Sequence, residues 1–397
     1  MKTVCPLLWN HSFVSTSGST RPCCRTQSQD ITEDWLSANF THGVNTPAHK
    51  TARDQMRNGQ WPSACGICKR AEEQFGASSR TKLLEEYNVD YSKEPTIDNI
   101  TTMDVKFNNV CNLSCIMCNP TSSSKIAEFA NTNKNQVPFW MQNRVTGERN
   151  WNENGKLEWC KKVIALGNLK VFKTTGGEPF AQKHFWQLID WCIENEYTYF
   201  EIHLTTNGTK FSKPYLKKLL KFRKIKLLVS CDGTDKVYEY IRFGSKWDKF
   251  VESIDTLVEF IDANPTKFYS TKLHVVLQAL NCHNISDIKR FADSKRFKLS
   301  IDVFMHPINT PLAIEALPKE MRFNIIDQYA VEHGHFDGHD LLKFNTEMVM
   351  REQSTRKTAK LIDNLLLLDR TRSTNYRDLG NPIARFIDKQ VKLSKSS

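Results

Sequence analysis

The sequence predicts an α/β fold: a partial (β/α)6 TIM barrel, preceded by an irregular cysteine-rich domain and followed by a helical extension. Three observations predict it. From about Asn99, short runs rich in Val, Ile and Leu alternate with amphipathic runs, the pattern of a parallel sheet covered by helices. Six strand-like runs occur, whereas a complete eight-unit barrel needs about 250 residues. Eight of the twelve cysteines crowd into the first 118 residues, ahead of most of that alternation.

The units follow in order. MDVKFNN (103–109) reads as a strand and SSSKIAEFANT (122–132) as a helix. LKVFKTTG (169–176) and HFWQLIDWCIEN (184–195) form the second pair, FEIHLTTNG (200–208) and KPYLKKLLKF (213–222) the third. IKLLVSCDG (225–233) with WDKFVESIDTLVEFIDA (247–263), and KLHVVLQAL (272–280) with ISDIKRFADS (285–294), are the fourth and fifth. LSIDVFMH (299–306) is the sixth strand. The expected divisions are 1–98 for the cysteine-rich module, 99–311 for the barrel and 312–397 for a basic helical extension that packs on it. Residues 138–159, polar and aromatic, read as an insertion between the first two units.

The 397 residues are 40% hydrophobic, enough to bury a core, with unremarkable Gly and Pro content. A disordered or fibrous protein is excluded. No apolar run reaches membrane-spanning length, and the apolar patch near the N-terminus is interrupted at once by polar residues, unlike a secretory signal. The expected location is the cytoplasm. Formal net charge is +11, and residues 351–397 carry eleven Lys/Arg against five Asp/Glu. Such a tail is either a solvated face or a surface for an acidic partner.

In a reducing compartment, clustered thiols read as metal ligands. Cys111, Cys115 and Cys118 sit on one tight loop, VCNLSCIMCNP, after the first strand. Structural zinc takes four ligands and an iron–sulfur cube is commonly held by four thiolates. Either a fourth ligand comes from elsewhere, with His203, His274 and His306 as candidates, or the vacancy is itself functional. Cys231 and Cys282, near strand ends, read most simply as buried thiols.

The Cys-x3-Cys-x2-Cys spacing after a first strand resembles the radical S-adenosylmethionine (SAM) superfamily, over roughly Thr101 to Asn309. The resemblance implies a partial TIM barrel of the radical SAM type. It also implies a [4Fe-4S] cluster on Cys111, Cys115 and Cys118 whose open iron binds SAM. Reduced by a donor such as flavodoxin or ferredoxin, such a cluster cleaves SAM to a 5′-deoxyadenosyl radical, which takes a hydrogen atom from substrate. Gly176, Gly177, Glu178 and Pro179 are similar to the family's segment for the SAM amino group. Glycines permit close backbone approach and a carboxylate accepts from an ammonium. Thr206 and Asn207, with Thr205, end the third strand. Ser230 and Asp232 match polar positions for the ribose or carboxylate, and Arg242 an arginine that pairs with the SAM carboxylate. Gln278 and Asn281 end the fifth strand, where relatives reach the nucleoside.

Cys5, Cys23, Cys65 and Cys68 form a second set, with Cys24 as an alternative to Cys23. A Gly with four residues before the next Cys, then a CxxC, resembles the auxiliary-cluster modules (SPASM or the shorter twitch type) of radical SAM maturases. Here the module lies N-terminal instead of after the barrel. Four thiols saturate a [4Fe-4S] cluster or a zinc ion. The resemblance implies an oxidoreductase acting on a peptide or protein side chain or a small molecule. Two other readings are a radical SAM enzyme acting on RNA, and a non-enzymatic metal-stapled binding protein. The RNA reading is motivated by Trp140, Arg144, Arg149 and Trp151 and the basic tail, since aromatics stack bases and cations track phosphates.

Overall fold

Thr102–Val105 is buried at all four positions, as expected of a strand covered on both faces. The computed structural model describes residues 3–16, 18–26, 33–34, 44–142, 152–302, 310–334 and 339–396. Two compact units divide the chain: 1–109 with 147–204 and 214–226, and 110–146 with 205–213 and 227–397.

The first unit contains β1 (His11–Val14), β2 (Ser19–Arg21), β3 (Glu33–Asp34), β4 (Thr102–Val105), β5 (Val171–Thr174) and the start of β6 (Glu201–Thr206). They lie in the order β3-β2-β1-β4-β5-β6. β4, β5 and β6 are parallel, with Met103 opposite Phe172 and Phe172 opposite Ile202. This is the parallel sheet that the alternation predicts.

The N-terminal region departs from the expectation of a separate irregular domain. β1 pairs in parallel with β4, His11 opposite Thr102 and Val14 opposite Val105, and β2 pairs antiparallel with β1. A four-residue strand beginning with His and Ser shows no usable hydrophobic period, so neighbouring backbone and not local pattern defines it. His11 Nδ1 lies 2.7 Å from Thr102 Oγ1 across this pair. Helices Pro47–Arg57, Gly66–Phe75 and Ser79–Glu86 complete the region. Arg53 is fully buried in it; Nη1 donates to the Leu8 and Val44 carbonyls, and Nη2 is 2.5 Å from Glu94.

The expected insertion is partly helical. Glu153–Ala165 is a helix, and Lys156 on it donates to the carbonyls of Thr16, Lys106 and Phe107 at 2.9–3.0 Å. Burial holds its amine down to about 7.

The second unit holds most of β7 (Lys224–Ser230), then β8 (Phe268–Val276) and β9 (Lys298–Asp302), ordered β7-β8-β9. β8 and β9 are parallel, with Val276 opposite Asp302. The predicted sixth strand extends through residues 303–306, which lie outside the described residues. Helix Trp247–Ala263 buries Phe250, Ile254 and Leu257, an i, i+4, i+7 stripe. The extension supplies helices Lys319–His333, His339–Met350, Thr355–Arg372 and Ile383–Ser396. It makes contacts within its unit: Tyr240 donates its hydroxyl to Asp369, and His283 Nε2 meets the Leu379 carbonyl at 2.8 Å. Among the described residues no helix is long and apolar enough to cross a membrane.

Candidate functional site

The loop carrying Cys111, Cys115 and Cys118 is pinned by its backbone. Ser114 N–H donates to Phe243 O and Ile116 N–H to Ile241 O, both at 2.8 Å. Ser123 Oγ donates to Leu113 O at 2.7 Å while capping the next helix at Ile126 N–H. The Trp140 indole donates to Ile116 O at 2.8 Å. These bonds hold a loop without regular structure in one shape, because buried backbone groups require partners.

The Cys111 and Cys115 sulfurs lie near enough to Cys118 to act on it electrostatically. Burial lifts Cys118 well above the ordinary thiol range, and the Cys115 and Cys111 sulfurs lift it further. Burial also raises Cys115, opposed by the Arg242 and Arg372 guanidiniums. The Leu113 N–H donates to Cys111 Sγ at 3.5 Å, and the Asn207 carboxamide approaches it at 4.0 Å.

Several predicted ligand residues at strand ends form a contact chain leading to this loop. Arg242 Nη1 is 3.9 Å from Cys115 Sγ and Nη2 is 2.6 Å from Asp232 Oδ2. Burial alone would lower the Arg242 pKa; Asp232 first, then Cys115, hold it above the ordinary arginine value. Asp232 Oδ1 accepts from Val276 N–H at 2.8 Å. Two residues on, Gln278 is fully buried, yet among the described residues neither its Oε1 nor its Nε2 has a partner. Leaving a buried amide without a partner costs about 1–3 kcal/mol. Asn281 is occupied: Oδ1 accepts from Gln278 N–H and Nδ2 donates to Val276 O. Ser230 is half-buried at the end of β7.

Thr206 Oγ1 accepts from Gly208 N–H at 3.1 Å. Asn207 binds Asn112 Oδ1 at 2.9 Å through Nδ2 and accepts from Thr209 through Oδ1. Its side chain therefore braces the cysteine loop. Cys231 and Cys282 are fully buried, their thiols directed at the Gly233 and Ala279 carbonyls. His274 Nδ1 lies 3.4 Å from Ser300 Oγ, and His306 lies outside the described residues.

Gly176, Gly177, Glu178 and Pro179 belong to the first unit. Both glycines have positive φ, +80° and +59°, and a Cβ on Gly176 would come within 2.8 Å of the Lys106 side chain. Glu178 is buried and its Oε1 accepts from Phe180 N–H at 3.1 Å. Gln182 Nε2 donates to Gly176 O at 2.5 Å, fixing the turn. His203, in the same unit, is 3.2 Å from Glu201.

The second cysteine set also converges in that unit. Cys5, Cys23, Cys65 and Cys68 line one cavity with Leu8, Met56, Trp61, Arg25 and Arg80. Burial raises Cys5, with Cys23, Cys65 and Cys68 adding to it. Cys65 is pushed up to about 12 by burial, then by Cys23 and Cys68, with Arg80 opposing. Cys24 turns elsewhere, its Sγ 3.8 Å from Lys173 Nζ, which pairs with Asp104 at 3.0 Å. Among the described residues no three His, Cys, Asp or Glu side chains close on a point as one metal ion requires. A four-iron cube is wider and takes its thiolates around a volume.

Two features escaped sequence reasoning. Arg372, in the extension, donates to Ser114 O at 2.8 Å, and Asn112 donates to Thr209 Oγ1 at 2.9 Å. No local motif marks either residue. Trp140, named above as a base-stacking aromatic, is buried with its indole N–H occupied, while Arg144, Arg149 and Trp151 lie outside the described residues.

Residues 105–292 match the model of the radical SAM superfamily. The matched segment is just under half of the chain. Mycofactocin maturase MftC of Mycolicibacterium smegmatis is 22% identical over 186 residues, 46% of this chain and 39% of the relative. MftC of Mycobacterium tuberculosis is 25% identical over 186 residues, 46% and 38%. The chain thus spans under half the length of these curated relatives. Among solved structures, Streptococcus suis SuiB bound to S-adenosylmethionine has a TM-score of 0.39 at 14% identity, covering 77% of this chain and 65% of that one. The anSMEcpe protein with bound AdoMet has a TM-score of 0.41 at 17% identity, covering 67% and 64%. All three cysteines of the loop, and every strand-end residue discussed, fall inside the matched segment; Arg372 and the second cysteine set lie outside it.

Proposed function

We propose that this chain is a radical SAM oxidoreductase of the maturase type, holding a [4Fe-4S] cluster on Cys111, Cys115 and Cys118. When bound and reduced, that cluster supplies the electron that cleaves SAM to methionine and a 5′-deoxyadenosyl radical, which abstracts a hydrogen atom from substrate. The observation that carries the reading is the contact chain from Cys115 through Arg242 and Asp232 to Val276 on β8, two residues before Gln278, whose carboxamide has no partner among the described residues. The donor set fits: three soft thiols on a braced loop suit iron, and a buried amide with free donor and acceptor suits a nucleoside. Gln278 would orient the adenosine part. Ser230, on its strand end, would serve the ribose or carboxylate. Arg242 would place positive charge beside the SAM carboxylate while Asp232 holds it. Gly176 to Pro179 would take the SAM amino group.

Cys5, Cys23, Cys65 and Cys68 would hold a second [4Fe-4S] cluster, in a twitch-like N-terminal module; zinc is the alternative. Flavodoxin or ferredoxin would supply electrons. Because the curated relatives are named as maturases, we place a peptide or protein side chain ahead of a small molecule as substrate.

Anaerobic reconstitution with iron and sulfide, then SAM and dithionite, tests the reading. Wild type is expected to release 5′-deoxyadenosine and Cys115→Ala none. A fully loaded wild type that releases none overturns it.

A further inference from the structure

Arg372 ends helix Thr355–Arg372, outside the matched segment, yet it is 9% exposed. Its Nη2 donates to the carbonyl of Ser114, the residue before Cys115. Its Cζ lies 4.9 Å from the Phe129 ring centroid and 4.7 Å from that of Phe243, so two aromatic faces hold the guanidinium. Nη2 also reaches Met141 Sδ at 3.7 Å, and Nε has no hydrogen-bond partner among the described residues. Among the described residues no carboxylate pairs with it. Burial lowers its pKa to about 10, with the Cys115 sulfur pulling the other way.

The contrast with Arg242 is informative. Both guanidiniums act on Cys115, but Asp232 neutralises Arg242. Beside the loop there is therefore a buried cation that no carboxylate among the described residues balances, an arrangement strongly disfavoured unless an anion completes it. Thiolates on an iron–sulfur cube form an anionic assembly, and each added electron makes it more so. The same cation then favours the reduced state, because local charge is one of the levers on cluster potential.

We propose that Arg372 is a positioning residue for the cluster of Cys111, Cys115 and Cys118, its charge raising the midpoint potential so that the C-terminal extension forms part of the redox site. This rests on the proposed cluster. No hydrogen-atom or group transfer is assigned to it.

The test is a dithionite redox titration of the reconstituted full chain without SAM or substrate, followed by electron paramagnetic resonance. The relevant signal is the one that Cys115→Ala removes. Arg372→Gln and Arg372→Met are expected to keep wild-type iron and shift the redox equilibrium about tenfold toward the oxidised state. For one electron that is about 59 mV more negative. Arg372→Lys, which keeps the charge, should stay near wild type. An unshifted midpoint in fully loaded Arg372→Gln overturns the proposal. If the neutral variants fail to load, Arg372→Lys decides: normal loading and midpoint support the role of charge, and failure to load shows that the planar contact with Ser114 matters instead. A wild type lacking any signal sensitive to Cys115→Ala removes the cluster reading itself.

Discussion

The Arg242 guanidinium spans Cys115 and Asp232, with one nitrogen 3.9 Å from the sulfur and the other 2.6 Å from the carboxylate. The backbone on either side of it, at Ile241 and Phe243, accepts the loop's own N–H groups. The main chain thus fixes where the loop lies, while the side chain sets the charge facing it. Asp232 in turn is tied to β8 by Val276 N–H, so strand end, arginine and cysteine loop form one braced assembly.

Asp232→Asn therefore leaves a buried cation without its counter-charge. Loss of one partner of a buried pair costs about 3–5 kcal/mol. Urea denaturation of the iron-free chain should show a loss of that order, and Asp232→Asn/Arg242→Met should recover most of it. A single variant within 1 kcal/mol of wild type would mean that the pair adds little to stability.

Gln278 presents the opposite trade. Its carboxamide is buried without partners among the described residues, so Gln278→Leu, close in volume, removes a desolvated group worth about 1–3 kcal/mol. The ligand-free chain should melt no lower than wild type. If the amide meets SAM, the variant should bind SAM about tenfold more weakly, an expected loss of about 1.4 kcal/mol. Thermal scans with and without SAM read both quantities. Lower stability without weaker binding would make Gln278 an ordinary core residue.

Much of this was legible because local pattern carried it. Trp247–Ala263 coincides with its predicted span, since its apolar residues repeat at helical spacing. The cysteine loop was legible from thiol spacing alone. What was not legible depends on distant partners. Arg372 and Ser114 are 258 positions apart, and periodicity reports which face is buried, never what covers it. β1 is a strand because β4 lies beside it. Asn207 looked like a ligand residue by its strand-end position, but its carboxamide is hydrogen-bonded to Asn112, a use that position cannot reveal.

Cys23 lines the four-thiol cavity, whereas the adjacent Cys24 lies 3.8 Å from Lys173 Nζ. Cys23→Ala should lose one cluster's worth of iron and sulfide per chain, or its zinc, whereas Cys24→Ala should keep wild-type metal. Equal loss in both would show that the loop rearranges on loading.

Acid should weaken the first unit before its carboxylates titrate. Burial lowers His11 and His49 from 6.5 to about 4, against a weaker upward pull from Asp104 on His11. Lys173 also lowers His11, and Arg53 lowers His49. Both rings are neutral when folded and take up a proton when unfolded, so the unfolded state binds more protons between these values. Stability is then full above about pH 6.5 and is lost as pH falls toward 4, by roughly 3 kcal/mol per ring at most. Glu72 and Glu94, held below the usual carboxylate range by Arg80 and by Arg53 with Arg57, add their loss only further down. Urea midpoints of the iron-free chain at pH 7.5, 6 and 5 should fall, and His11→Gln should flatten the slope by up to one proton, about 1.4 kcal/mol per pH unit. A slope unchanged in His11→Gln would mean that the ring is protonated in the folded state and that Asp104, not burial, governs it.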